Sequence, residues 1–477
     1  MGSSIDFGGR PIHFIGIGGI GMSGLAYVLA RRGLPVSGSD LRATNITEKL
    51  AAAGAHIFLQ QDASNLAYFD RHPSGQTPQI VCSTAIGKTN SELTAALECG
   101  CPIFHRSDVL AALIGEYTSI GVAGTHGKTT TSSEIGYMLT MAGVDPTIVV
   151  GGEVTAWDGT ARVGKSEYFV AEVDESDGSI VKHSPTIGVI TNIELDHTDH
   201  YKSLEQVIET FTKFANQCQV TVGSIDCAIV RDRIEPTLSY SIEPGRVADY
   251  TVDDVDYHSA GTSAQVYEYG NLLGTLKLGV LGKHNLSNAL ATIAVGRKIG
   301  LDFESIAAGL ETFSGAKRRF ELRGYQNDIT FIDDYAHHPS EILVTLSAAR
   351  LRVGTERRVV AVFQPHRYSR TLEFLDEFAR SFKDADVAII TDIYSAGEVN
   401  TQNISGEEVV NRIALYHPNV HYVPTLEAVS QFLSHNLYPG DICLCLGAGN
   451  LNQIIPEVVD FYRNMSNFKS TETVART

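Results

Sequence analysis

The stretch Gly121–Ser132 reads GVAGTHGKTTTS. An apolar run, TSIGVA, leads into it, and a helix-like segment opens at Lys128. Strand, glycine-rich loop and helix in that order form the setting of a phosphate-binding loop. Gly124 and Gly127 let backbone amides approach phosphate oxygens, and the positive end of the helix dipole favours negative charge there. The spelling departs from the common G-x-x-x-x-G-K-[ST] pattern. That pattern needs a glycine where this chain has Val122, so the loop is not of the standard GTPase or kinase type. The candidates for holding a nucleoside triphosphate are Gly124, Thr125, His126, Gly127, Lys128, Thr129 and Thr130. Lys128 suits the β- and γ-phosphates, and the Thr129 hydroxyl suits Mg²⁺. A glycine-rich turn with an exposed lysine is the plainer alternative, and the strand–loop–helix setting argues against it.

A metal–ATP loop needs partners, and the next two apolar runs end in acidic clusters. FVAEVDESDGSI supplies Glu172, Asp174, Glu175 and Asp177; TNIELDHTDHY supplies Glu194, Asp196, His197, Asp199 and His200. Side chains just past the carboxyl ends of parallel strands face the crevice where ligands bind. Either cluster alone would equally suit a solvated loop. Behind a phosphate loop, at successive strand ends, both read as metal ligands.

Toward the N-terminus lies a second glycine motif. Gly16-Ile-Gly18-Gly19-Ile20-Gly21 fits G-x-G-x-x-G between a strand (PIHFIGIGG) and a helix (GMSGLAYVLARRG), and Asp40 closes the second strand. This is the fingerprint of a Rossmann-like unit that binds a nucleotide or its diphosphate; a tight packing turn without ligand is the alternative. An NAD-dependent oxidoreductase would explain this motif. It would leave Lys128 and its partners idle, and no constellation for hydride transfer stands out.

Apolar runs of strand length alternate with helical stretches along all 477 residues, which predicts parallel α/β architecture in about three domains. The boundaries expected are 1–116 for a Rossmann-like unit, 117–321 for a central P-loop ATPase-like α/β unit, and 322–477 for a C-terminal Rossmann-like α/β unit. CAIV (Cys227–Val230) reads as a strand, and Gly270-Asn271 as a hairpin turn. A formal net charge of −18 argues against tracking a nucleic-acid backbone, which needs clustered Lys and Arg. No apolar run reaches the roughly 20 residues of a membrane span, and the N-terminus lacks the order of a signal peptide. A cytoplasmic enzyme is expected. The seven cysteines show no zinc spacing, and Cys443 and Cys445 read as packing thiols on one side of a strand.

Several motifs together carry a resemblance. GIGGIGMSGLA, AGTHGKTTT, AEVDESDGS, NIELDHTDHY, GKHNLSNA, DDYAHHPSEI and FQPHRYSRT occur in this order, and the chain resembles the Mur ligases almost end to end. The resemblance implies one unit for the UDP end of a substrate, one for ATP and one for the incoming amino acid. It implies ATP-dependent amide formation, with UDP-N-acetylmuramate, L-alanine and ATP as the expected substrates and Mg²⁺ as the metal. A murein-peptide ligase, which adds a preformed peptide, is the nearest alternative within the family; that group departs from GIGGIGMSG. The diphosphate at Gly16, Gly18, Gly19, Ile20 and Gly21 would then be that of UDP, with Asp40, Ser83 and Thr84 lining the same pocket.

The resemblance also implies roles elsewhere. Thr129 and Glu172 match ligands of one Mg²⁺, and His197 matches a ligand of a second. Asn285 and Asn288 match an adenine-side motif; helix capping stays open for Asn285. Arg318 or Arg319 can reach the γ-phosphate on closure, or either can be a surface arginine. In the third unit, His337, Arg367 and Arg370 join Lys128 as catalytic candidates, with both arginines able to face one carboxylate. Asp334 can orient this loop, while His338 and His366 read as structural neighbours. Lys202 and Lys213 sit in no matching motif, so a carbamylated lysine is not expected. DIYSAGEVNTQNISG departs from the family after Glu398. A monomer or homodimer is expected.

Overall fold

The computed structural model describes residues 4–71 and 75–474. Three sheets carry the chain. The first has five parallel strands in the order His56–Phe58, Val36–Ser39, Ile12–Ile15, Gln79–Cys82 and Ile103–His105. The chain starts in the middle and reverses direction across Ile12–Ile15, so the loop after that strand opens at a topological switch point. Gly16 makes the turn at φ 80°, a value that favours glycine, and the helix Ile20–Arg31 follows.

The second sheet has ten strands. Its middle runs Val220–Ser224, Ile187–Ile190, Thr118–Ala123, Tyr168–Glu172 and Thr147–Val154, all parallel. One edge is the antiparallel strand Gly159–Arg162. Beyond Val220–Ser224 come Leu238–Ser241, Tyr250–His258, Gly261–Glu268 and Asn271–Leu278, with Gly261–Glu268 antiparallel to both of its neighbours. The helices Lys128–Met141 and Lys283–Lys298 bury Ile135, Met138, Leu286, Leu290 and Ile293 in one core with strand residues Ile120, Val122 and Val189.

The third sheet runs Glu321–Gln326, Ile329–Asp334, Ile442–Leu446, Val359–Phe363, Val387–Ile390 and Val420–Tyr422, parallel except for the first pair. Cys443 and Cys445 are buried in its core, as packing thiols.

Two local expectations need correction. Cys227–Val230 is not a strand: the strand ends at Ser224, and Asp226 turns the chain by accepting from the Ser241 hydroxyl and the Ile242 N–H. A helical turn follows, closed by the Arg231 N–H on the Cys227 carbonyl, and it buries Val230 on one side only. The hairpin turn is shifted by one residue. Glu268 pairs with Asn271, and Tyr269 (φ 50°) and Gly270 (φ 77°) form the turn, the two left-handed residues that a tight hairpin requires. Among the described residues, no helix is long and apolar enough to cross a membrane.

Candidate active site

Thr118–Ala123 lies between Tyr168–Glu172 and Ile187–Ile190, with Val122 beside Glu172 and Ala123 beside Ile190. All three strands end at the same edge of the sheet. Three segments far apart in sequence therefore meet: the glycine loop, the acidic stretch from Glu172 and the stretch Thr191–His197.

The loop is held by its neighbours. Gly124 has φ 135°, and a Cβ there would lie 2.0 Å from Thr191 Oγ1; Gly127 has φ 84°, and its Cβ would lie 2.8 Å from Asn288 Oδ1. Only glycine fits either position. The Asn192 side chain binds the loop twice, accepting from the His126 N–H (2.9 Å) and donating to the His126 carbonyl (3.0 Å). Lys128 Nζ donates to the Gly124 carbonyl (2.6 Å), the Thr125 carbonyl (3.1 Å) and Glu175 Oε1 (2.9 Å). Burial works against its charge, but the carboxylates of Glu175, Asp174 and Glu172 outweigh burial and raise its pKa. Lys128 is therefore a fixed cation at the start of a helix.

The Thr129 hydroxyl donates to Glu172 Oε2 (2.8 Å), and the Gly151 N–H donates to the same oxygen (2.6 Å). Burial raises the pKa of Glu172, and Lys128 and these two donors offset it only in part. Glu172 is thus a carboxylate with room for more positive charge. Two hard oxygen donors side by side, one of them under-compensated, fit Mg²⁺. His197, at φ 52°, stands 3.6 Å from Glu175 Oε1 and 3.8 Å from Asp196 Oδ2. Burial opposes its charged form, and Glu175 and Asp196 outweigh that and raise its pKa. An imidazole so placed is a weaker match to a hard cation than the Thr129–Glu172 pair.

These groups open on a cleft of ≈ 680 Å³ that all three sheets line. The first unit contributes Ile20, Gly21, Ser83 and Thr84, the second Thr125–Thr129, Glu172 and His197, and the third His337. Arg318 and Arg319 also line it. A neighbouring pocket of ≈ 370 Å³ takes His126, Gly127, Thr130, Asn285, Asn288 and Arg319. Asn285 is committed within its helix end, donating to the Leu281 carbonyl (2.8 Å).

Gly16, Gly18, Gly19, Asp40, Arg367 and Arg370 line neither space. Gly16, Gly18 and Gly19 form the turn behind Ile20, and Asp40 accepts from the Gly18 N–H (2.9 Å), bracing the glycine loop. Arg370 is buried and gives Asp196 Oδ1 two hydrogen bonds, from Nε (3.1 Å) and Nη2 (2.8 Å). Arg367 pairs with Asp199 (2.7 Å). The two arginines thus hold different carboxylates of the central unit and share no acceptor. Arg318 donates to the Gly447 carbonyl (2.6 Å) and lies over the Tyr335 ring. His337 Nδ1 lies 2.9 Å from the Tyr335 carbonyl; a carbonyl only accepts, so Nδ1 carries the proton and Nε2 is the free lone pair. Burial lowers the His337 pKa to about 3. Asp334, raised to about 6 by burial, accepts from the Phe320 and Ala336 N–H groups and ties the passage into the third unit to this loop.

Sequence reasoning missed three residues. Arg106, from the first unit, donates to Asp174 of the second (2.8 Å) and stands over Gly21. Together with Lys128 it outweighs burial and holds the Asp174 carboxyl well below the usual range. Asn192 anchors the loop. Glu341 caps the helix Pro339–Val353 and faces His126. Arg106 follows a short strand, the one signal that marked it. His126, Glu194 and His338 bring three potential ligand atoms within 4.8 Å of one another. His338 Nδ1 already accepts from the Ser340 N–H, and His126 is ion-paired, so the cluster reads as a polar clasp.

Comparison with known proteins accounts for this arrangement. Three family models match in succession: "Mur ligase family, catalytic domain" over residues 11–118, "Mur ligase middle domain" over 122–296 and "Mur ligase, glutamate ligase domain" over 318–449. The chain belongs to the Mur ligase family. This Mur ligase is 62% identical to the UDP-N-acetylmuramate--L-alanine ligase of Nostoc punctiforme, over 96% of this chain and 98% of that one. It is 58% identical to the protein of the same name from Thermosynechococcus vestitus, over 99% and 100%. Among solved structures it is similar to the UDP-N-acetylmuramate-alanine ligase of Thermotoga maritima, with TM-score 0.80 and 28% identity, over 95% of this chain and 99% of that one.

Proposed function

We propose that this Mur ligase joins L-alanine to the lactyl carboxylate of UDP-N-acetylmuramate, with ATP converted to ADP and phosphate, in the cytoplasm. The observation that carries the reading is one cleft lined at once by the end of the first glycine loop, by Lys128 and Glu172 of the second unit, and by the His337 loop. High identity to relatives bearing that name over nearly the whole chain supports it. The proposed division is UDP end on 1–116, ATP on 117–321 and amino acid on 322–477, supported by the three sheets.

The reaction has two steps. A lactyl carboxylate oxygen attacks the γ-phosphorus of ATP, and the β–γ bridging bond breaks to give an acyl phosphate and ADP. The amine of L-alanine then attacks the acyl carbon, and the tetrahedral intermediate expels phosphate. Two anions must first be brought together, so charge neutralisation and alignment dominate. Lys128 supplies fixed positive charge at the phosphate loop. Thr129 and Glu172 would hold Mg²⁺, which when bound offsets phosphate charge. Arg106, beside Gly21, presents a guanidinium to the anionic substrate entering from the first unit. Asn288 lines the pocket beside the loop and suits adenine, since an amide both donates and accepts. His337 stays neutral at physiological pH; so weak a base suits accepting a hydrogen bond from the attacking amine better than storing its proton.

Phosphate release from ATP with UDP-N-acetylmuramate and a panel of amino acids, and separately a tripeptide, tests this. Release with L-alanine is expected. Release with the tripeptide alone would reassign the chain to peptide ligation, and NAD reduction without ATP use would overturn the class.

A further inference from the structure

We infer that Glu341 is a positioning residue that docks the third unit onto the phosphate loop through His126, so that the cleft is completed only when this contact forms. The carboxylate divides its work. Oε2 accepts from the His337 N–H (2.9 Å) and the His338 N–H (3.2 Å), which caps the helix Pro339–Val353. Oε1 is left over, and it faces His126 Nδ1 at 3.3 Å and Arg319 Nη1 at 3.7 Å. Capping needs an acceptor and no charge; the two cationic neighbours of Oε1 are what a charge would serve.

The imidazole is not a loose partner. The His126 carbonyl accepts from the Thr191 hydroxyl (2.6 Å), and its N–H and carbonyl are both bound by Asn192, so a pull on the ring acts on the loop itself. The adjacent residue makes a parallel contact: the Ser340 hydroxyl donates to Glu194 Oε2 (2.7 Å), and the Glu194 N–H donates to the Thr125 hydroxyl (2.9 Å). Ser340 and Glu341 therefore grip two successive loop residues, Thr125 and His126. The same Glu341 carboxylate binds the backbone of His337, which lines the cleft, so loop and third-unit side chain are set by one group. Burial opposes charge on His126, yet the Glu194 and Glu341 carboxylates outweigh it and raise its pKa to about 9, which keeps the pair charged under working conditions.

The inference rests on the ligase reading for its kinetic arm alone. Glu341→Gln keeps an acceptor for the cap and removes the charge; His126→Gln removes the partner. Each single variant should lower kcat on the order of tenfold, with Glu341→Gln losing no more Tm than His126→Gln, and the double variant should be no slower than the slower single, since coupled neighbours are non-additive. In parallel, small-angle scattering with ADP and Mg²⁺ should show the wild type compacting and Glu341→Gln remaining more extended. Wild-type kcat in Glu341→Gln, additive losses in the double variant, a larger fall of Tm in Glu341→Gln than in His126→Gln, which would assign the carboxylate to the cap, or unchanged compaction would each overturn the inference. If wild type itself released no phosphate with L-alanine, the ligase reading would fail, and scattering would still decide the coupling.

Discussion

Lys128→Ala separates the labour of the units. The ammonium sits among Glu175, Asp174 and Glu172 and contacts two loop carbonyls. Its removal has two effects of different kind. Losing one preorganised charge at the reacting phosphate costs about 3–4 kcal/mol, or about 100- to 1,000-fold in kcat. The three carboxylates left without their cation also repel the polyphosphate, so the larger figure is expected. The second effect is on stability: Glu175, which is 1% exposed, loses its counter-charge, and breaking a buried pair costs roughly 3–5 kcal/mol. The double variant Lys128→Ala/Glu175→Gln removes the orphaned charge, so it should regain most of the lost Tm and none of the lost turnover. Affinity for UDP-N-acetylmuramate, measured by calorimetry without ATP, should stay within about two- to threefold of wild type, since distant sites are nearly independent. Turnover within tenfold of wild type, or a collapse of UDP-substrate affinity in the stable double variant, would refute the assignment.

Further outcomes follow from the same contacts. Arg370→Ala strands Asp196, a carboxylate that is 5% exposed, so denaturant unfolding should show a loss of roughly 3–5 kcal/mol; adding Asp196→Ala should recover most of it. The raised pKa of His126, from 6.5 to about 9, is a linkage statement. Surrounded by Glu194, Glu341, Arg319 and His338, its charged form contributes fully below pH 6.5, and the contribution fades as pH rises through about 9. The difference in unfolding free energy between wild type and His126→Gln, measured by denaturant unfolding, should therefore narrow over that window, from at most about 3 kcal/mol. Chelation with EDTA should abolish phosphate release, and added Mg²⁺ should restore it, as the Thr129–Glu172 oxygen pair requires.

Much of this protein was legible locally. Strand, glycine turn and helix at Gly16–Gly21 and Gly124–Lys128 are set by residues adjacent in the chain, because apolar runs and positive-φ glycines act over a few residues. The same holds for the helix starts at Lys128 and Leu204, the latter capped by Ser203. Two short strands were not legible: His56–Phe58 and Val420–Tyr422 have three residues each, too few for a period to show, whereas the equally short Ile103–His105 was marked by the apolar run CPIFHR. CAIV misled because four apolar residues suit a strand or a one-sided helical turn equally, and the hydrogen bonds of Asp226 decided between them.

By itself the sequence determined two glycine loops at strand–helix turns, the acidic strand ends beside one of them and the family. Tertiary structure decided who pairs with whom. Arg106 with Asp174, Arg370 with Asp196 and Glu341 with His126 are contacts across 68, 174 and 215 residues. They exist because strand order brings particular loop ends to one edge and the third unit folds over them. A charge's partner depends on distance in space, and no local pattern encodes that distance; this is why the carboxylate that each arginine serves became visible only in the folded chain.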